Sequence, residues 1–354
     1  MKAISVEDLQ PGMILARSLV NDDMVVVLSA DTALTKAHIT RLNFLNIPVV
    51  YIKDDNDIRY GVGSDSPLFN KGNAFAKEYT GVVDTAQKLF DEISSGKSEQ
   101  VETAKNVVQQ SVIPMTKNSG VIDFLFDLNH LASDVYNHSL RVSIMAGVIA
   151  KWLHFGPKKT RDLVLAGFLH DIGKSRFPER LQGKNVAKLK GADYETYMKH
   201  TMDGHHILNA MDGLSEGVRL AAMQHHERMD GSGFPFNSMG ADIHEYARII
   251  AIADIYDNMT TEREGYVKQT PFHAISYITQ HLYTSLDPVV AVPVLTRIKD
   301  AFLGSRIILS NGLGGIIVAF PGDFAGRPIV SVSHGEILNL NEFPDIQITE
   351  YNPK

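Results

Sequence analysis

The chain has 354 residues, 44% of them apolar, so it can bury real cores over two or three domains and is neither a stapled miniprotein nor a disordered tail. Its 34 Lys and Arg against 41 Asp and Glu give a net charge of -7, which argues against a surface built to grip nucleic-acid polymers or acidic membrane. The absence of Cys removes disulfides, thiolate zinc sites and cysteine nucleophiles. The opening Met-Lys-Ala-Ile-Ser lacks the apolar core of a signal peptide, and no stretch reaches the ~18 uninterrupted apolar residues of a membrane span. A soluble, cytoplasmic chain is expected. Of its 14 His, ten fall between His130 and His244.

Residues 1–53 alternate apolar runs with turns: Gly12 to Leu15, Met24 to Leu28 and Pro48 to Ile52 predict short strands, and Ile39, Leu42 and Leu45 predict a helix over 35–45. A small α+β module follows from this. Residues 54–72 are polar and aperiodic, the composition of a linker. Over 73–118, Val82, Val83, Ala86, Leu89, Phe90 and Ile93 predict connecting helices broken at Ser94-Ser95-Gly96. Residues 119–303 are helical by the same test, with Val135, Val142, Met145, Ile149 and Trp152 on one side of a long helix. From 304 to 354 the pattern turns to strands at Arg306 to Leu309, Gly315 to Phe320, Ile329 to Val332 and Glu336 to Leu340. The predicted fold is mainly α, a helical core flanked by an N-terminal α+β and a C-terminal β module.

The His-rich block carries the chemistry. Asp134 and His138 share one face of the long helix, so one metal could use both. His170-Asp171 closes an apolar helix, where Gly173 can end it. His200 lies within another predicted helix, and His225-His226-Glu227 precedes a Gly-rich turn formed by Asp230, Gly231, Ser232, Gly233, Phe234 and Pro235. Asp254 stands in the apolar stretch Ile249 to Ile255, where an unpaired carboxylate is costly. Taken singly, each is more often a surface or capped-core residue than a ligand. Together, imidazoles and carboxylates without sulfur suit Fe, Mn, Zn or Ni and disfavour Mg and Ca. A bridging carboxylate such as Asp171 can hold two metals, the arrangement that hydrolyses phosphate esters.

His170-Asp171-Ile172-Gly173-Lys174 resembles the HD motif, and HHERMDGSGFP at 225–235 resembles the extended signature of HD-GYP domains. The resemblance covers roughly 119–303, with a weaker one in Leu9-Gln10-Pro11-Gly12-Met13 to a module often found ahead of such domains. It implies a phosphodiesterase for cyclic di-GMP with two or three divalent transition metals, Fe or Mn, held by His138, His170, bridging Asp171, His200, His225, His226 and Asp254, with Asp134 a candidate for the third. Carried over in the same way, Lys174 contacts substrate phosphate and Arg263 holds the dinucleotide. Lys268 is a further candidate contact for substrate phosphate, across a departure from the family pattern in which Glu264-Gly265 stands where the family has one Pro before Tyr266. Phe234 replaces a Tyr, keeping the ring and losing a hydroxyl. Shorter than the Glu of trinuclear relatives, Asp134 points to a two-metal site that yields mainly linear pGpG and only slowly GMP. Two other readings are a phosphodiesterase for another cyclic dinucleotide and a module that binds the ligand, or a signalling partner through the Gly-rich turn, without turnover. Glu227 is expected to orient a His ligand, Asp257 is either a partner to the site or a solvated residue, and His130, His154, His205, His206 and His244 match no motif.

Overall fold

The computed structural model describes residues 2–15, 19–20, 26–28, 32–44, 49–52, 72–97, 99–118, 120–128, 134–181, 184, 186–263, 266, 268–322, 326–332 and 336–352. The chain divides into two compact units, Met1–Asn73 with Phe302–Gly322 and Arg327–Lys354, and Ala74–Ala301 with Asp323–Gly326. The linker expected at 54–72 lies, but for Gly72, outside the described residues, as do His130 and Glu264-Gly265.

In the first unit, β1 (Lys2–Ser5) pairs antiparallel with β4 (Val49–Ile52), and β2 (Leu19–Val20) with β3 (Val26–Leu28). Helix α1 (Lys36–Phe44) packs on this frame, with Leu15, Leu34, Leu42 and Val50 in its core. The strand expected over Gly12 to Leu15 is reduced, within the described residues, to isolated bridges from Ile14 to Ala33 and Leu15 to Ile52, because Pro11 and the left-handed Gly12 (φ +96) form a turn immediately before them. Five antiparallel strands complete the unit: β5 (Arg306–Leu309), β6 (Gly314–Ala319), β7 (Ile329–Val332), β8 (Ile337–Asn339) and β9 (Ile348–Asn352), in the order β8-β7-β6-β5-β9. Sequence reading missed β9, whose Ile-Thr-Glu-Tyr-Asn carries only two apolar residues; Ile348 and Tyr351 are the ones it buries.

The second unit is helical. Helix α2 (Gly72–Ser94) crosses into it, and α3 (Gln100–Val107) runs through a π turn (Val108–Val112) into Ile113–Met115. Then follow α4 (Val121–Leu128), α5 (Val135–Trp152), α6 (Pro157–Leu169), α7 (Ala192–Asn209), α8 (Glu216–Gln224), α9 (Glu245–Thr260), α10 (Pro271–Gln280) and α11 (Pro288–Phe302). Asp134 starts α5 by accepting from the N–H groups of Tyr136 (2.9 Å) and Asn137 (2.8 Å), and Pro157 and Pro271 sit where a missing N–H costs nothing. The one-sided stripe read for α5 understates its burial. Every residue from Asn137 to Ala150 is buried, so this helix is the centre of the unit, packed against α6 and α9.

Gly173 does not end a helix by a left-handed turn. It lies in a 3-10 turn (Ile172–Arg176) pressed on α7, and a Cβ there would meet the His200 carbonyl oxygen at 2.0 Å. The glycine is needed for this approach, which brings His170 and Asp171 against His200.

Candidate metal centre

Four histidines spend one ring nitrogen on structure and turn the other toward a common point. The Nδ1 of His170 bonds the Gly167 carbonyl at 2.8 Å, that of His225 the carbonyls of Ala221 and Ala222 at 3.1 Å each, and that of His200 the Tyr197 carbonyl. A carbonyl only accepts, so each Nδ1 carries the proton and each neutral ring presents a bare Nε2. The Nδ1 of His138 lies 2.7 Å from Asp257 Oδ2. This is the arrangement that orients imidazole ligands of metals.

Two clusters result, His138 with His170 and Asp171, and His200 with His225 and His226; within each, the candidate ligand atoms lie within 4.8 Å of one another. Asp171 stands between them. Its Oδ2 is 3.4 Å from His138 Nε2 and 3.5 Å from His170 Nε2, whereas its Oδ1 is 3.4 Å from His200 Nε2 and 3.5 Å from His225 Nε2. Asp254 Oδ1 joins the first cluster, 3.0 Å from His138 Nε2 and 3.9 Å from His170 Nε2. His170, Asp171, His200 and His225 are fully buried, and His226 is half-buried beside them.

The donor set fits cations. The Nε2 atoms of His200 and His225 approach to 3.3 Å while both face Asp171 Oδ1, so three electron pairs converge among fully buried side chains. Among the described residues, neither Asp171 Oδ1 nor His170 Nε2 has a hydrogen-bond partner, a costly state that a positive ion between them relieves. Burial lowers the pKa of His170 to about 4 and holds His200 and His226 well below the usual imidazole range, leaving neutral ligands. Burial disfavours charge on His138 too, but Asp171, Asp254 and Asp257 outweigh it and raise its pKa to about 10. Asp171 and Asp254 stay well below the carboxylate range although burial opposes it, Asp171 through Lys174 and His170, Asp254 through His138 and its neighbours.

The surroundings correct several sequence expectations. Asp134 stands outside both clusters, because one oxygen caps α5 and the other accepts from Asn137 Nδ2 at 2.8 Å. Glu227 orients no histidine. Its oxygens accept from the N–H groups of Phe236 (2.7 Å) and Ser238 (3.0 Å) and so fasten the Gly-rich turn, where a Cβ on Gly233 would lie 2.4 Å from Glu227 Cα. Asp230 closes the same turn through Ser232, and the Phe234 ring stacks on His226 with centroids 4.5 Å apart, a contact the lost hydroxyl does not affect. Lys174 Nζ pairs with Asp171 Oδ2. Arg263 bonds Asn258 Oδ1, and Asn258 Nδ2 bonds Asp254 Oδ1 at 2.7 Å, so Arg263 reaches the centre through Asn258. Lys268 lies over the Phe126 ring instead, 4.3 Å from its centroid. His205 is half-buried and His206 exposed on α7, His244 caps α9, and His154 follows α5 with φ +56.

Sequence reading overlooked Tyr197, whose hydroxyl lies 3.2 Å from His226 Nε2, and Asn258 and Arg141. The signal was present in spacing: Tyr197 precedes His200 by three, Asn258 follows Asp254 by four, and Arg141 follows His138 by three, each on a shared helical face.

Residues 126–290 match the model of the HD domain family. Its HD pair and the HHERMDGSGFP signature make this part of the chain similar to HD domains of the HD-GYP type. Among curated proteins, the chain is similar to the cyclic di-GMP phosphodiesterase PA4108 of Pseudomonas aeruginosa, 28% identical over 247 residues, 69% of this chain and 58% of that protein. It is also similar to the 3'3'-cGAMP-specific phosphodiesterase 1 of Vibrio cholerae, 37% identical over 128 residues, 36% of this chain and 29% of that protein. The chain thus spans less than two thirds of the length of these relatives. Among solved structures, Bd1817, a HDG"Y"P protein from Bdellovibrio bacteriovorus, shares the fold at a TM-score of 0.52 and 19% identity, over 83% of this chain and 97% of that one. No helix among the described residues is long and apolar enough to cross a membrane.

Proposed function

We propose that this chain is a metal-dependent phosphodiesterase that opens cyclic di-GMP mainly to linear pGpG, with slow further conversion to GMP. The observation that carries the reading is Asp171, whose two oxygens each face one histidine cluster, as a carboxylate bridging two ions does. His138, His170, Asp171 and Asp254 would hold one ion, and His200, His225, His226 and Asp171 the other. Fe or Mn is the expected metal, given nitrogen and oxygen donors without sulfur. When bound, the ions supply an activated water and counter-charge for the phosphoryl oxygens. The chain's own residues supply the rest. Lys174, one fifth exposed beside Asp171, offers an ammonium to substrate phosphate, and Arg263 a guanidinium one residue removed from Asp254. The commitment of Asp134 to its helix cap favours two ions over three, and hence pGpG as the main product. Exposed Phe236 and Met239 on the Gly-rich turn are the surface at which a signalling partner is to be sought.

The test is anaerobic purification with metal counting, followed by a chromatographic time course on cyclic di-GMP. Three tightly held metals with GMP as the early main product defeat the two-ion reading, and full turnover by metal-free protein defeats the mechanism. A second substrate is favoured by the 37% identity to a 3'3'-cGAMP-specific enzyme, so both dinucleotides belong in the same assay.

A further inference from the structure

His138 differs from the other three oriented histidines in what holds it. His170, His200 and His225 bond main-chain carbonyls three or four residues earlier, so each is fixed by its own helix or its end. His138 is fixed by a side chain from another helix, Asp257 on α9, at 2.7 Å. Asp257 is itself gripped by Arg141 of α5, Nε to Oδ1 at 2.6 Å and Nη2 to Oδ2 at 3.1 Å. Arg141 is 1% exposed. A buried ion pair is weak evidence of stability, since apolar residues of similar volume often do as well. Its position behind a metal ligand supplies the reason that stability does not.

The chain of contacts continues outward. Tyr79 of α2 is wholly buried, and its hydroxyl lies 3.3 Å from the Asn137 carbonyl and 3.2 Å from Asn137 Oδ1. Asn137 precedes His138 and also holds the second oxygen of Asp134. One hydroxyl on α2 therefore meets both the main chain and the side chain of the residue immediately before the ligand. Helix α2 is also the element by which the chain enters this unit, at Ala74.

The geometry points to Tyr79, Arg141 and Asp257 as positioning residues for His138, a relay through which displacement of α2 changes how tightly the centre holds metal. This rests on the metal-centre reading given above, though not on the identity of the dinucleotide. Asp257 sets the ring and tautomer of His138, Arg141 holds Asp257, and Tyr79 ties Asn137, the residue before His138, to α2. A shift of α2 that withdraws the hydroxyl frees Asn137 to relax, and His138 with it. The other histidines, anchored to main chain, do not respond. Metal affinity on the His138 side becomes the quantity that α2 controls.

The experiment titrates chelator-stripped full chain with Mn(II) and with Zn(II) alone, against a competing chromophoric chelator, with no dinucleotide present. Asp257→Asn is expected to weaken one of the two ions ~10- to 100-fold, the usual cost of losing an outer partner of a ligand. Tyr79→Phe is expected to weaken the same ion ~3- to 10-fold, the size of one hydrogen bond. Tyr256→Phe removes a buried hydroxyl that makes no hydrogen bond and should bind as wild type. If Asp257→Asn does not fold, Tyr79→Phe in a His138→Ala background decides: its effect vanishes if it acts through His138. Wild-type affinity in Tyr79→Phe, or an undiminished loss in the His138→Ala background, overturns the relay. Wild-type protein that binds two metals yet hydrolyses no cyclic dinucleotide overturns the proposed function instead, while the same loss of affinity on Tyr79→Phe supports the relay.

Discussion

The two halves of the centre handle charge in opposite ways. On one side, His138 and His170 share their pocket with Asp171 and Asp254, and Asp257 stands behind His138, so negative charge is in excess and His138 is drawn toward protonation. On the other, His200 and His225 meet one carboxylate oxygen, His226 lies beside them against the Tyr197 hydroxyl, and burial keeps His200 and His226 neutral. Ion affinity should follow the difference. The carboxylate-rich half attracts a divalent ion by charge, whereas the imidazole half relies on lone pairs set in advance by main-chain carbonyls. Asp171 alone belongs to both, and is where the comparison is most exposed to test.

The largest effect is therefore expected from Asp171→Ala, which removes the shared ligand. Hydrolysis should fall by at least ~1000-fold, and metal content should drop in both halves, since each loses an oxygen donor. Retention of wild-type rate defeats the bridge. Next comes a contrast between halves: His226→Ala should lower metal content from two ions to one and activity by ~100-fold or more, leaving the ion at His138 and Asp254 in place. Loss of both ions in His226→Ala would show that the halves are not separable.

Lys174→Ala comes third, because it removes charge from the centre without removing a ligand. Both metals should remain, and kcat/KM on cyclic di-GMP should fall about ten- to 150-fold, the range of one charge-assisted contact of ~1.5 to 3 kcal/mol. A variant that loses its metals would show that Lys174 serves Asp171 rather than substrate.

What could be read from sequence follows the same division. The residues that gather at the centre were legible because the HD pair and the HHE signature fix residue types at set spacings, and the helical periodicity of 119–303 set them on helices or just past helix ends. The supporting contacts were less so. Glu227 looked like a histidine partner because ligating imidazoles usually donate their other N–H to a carboxylate, but its carboxylate accepts from the N–H groups of Phe236 and Ser238. Asp134 looked like a ligand by its four-residue spacing to His138, a spacing a helix cap shares. Asp257 depends on a contact with His138 across 119 residues of chain, which no local pattern records. In the first unit, β1, β2 and β9 escaped notice because strands of two to five residues carry too few apolar positions to show alternation.

The smallest effect concerns a histidine outside the centre whose Nδ1 works in the reverse sense. His244 Nδ1 accepts from the N–H of Tyr246 at 3.1 Å to cap α9, whereas the Nδ1 atoms of the centre donate. An acceptor nitrogen must be unprotonated, and burial lowers the pKa of His244 below 6.5, so folding favours its neutral form. A lowered folded-state pKa means that the unfolded chain binds the proton first. The contribution is therefore fully present above the unfolded value of 6.5 and is lost as pH falls through the lower folded value. His244→Asn keeps an acceptor for the cap and removes the titration. Relative to wild type, its melting temperature should change less between pH 7 and pH 5, the difference isolating His244 from the carboxylates and metal ligands that titrate in both proteins. An equal fall in the two would place this nitrogen outside the cap, and with it the contrast between accepting and donating histidines.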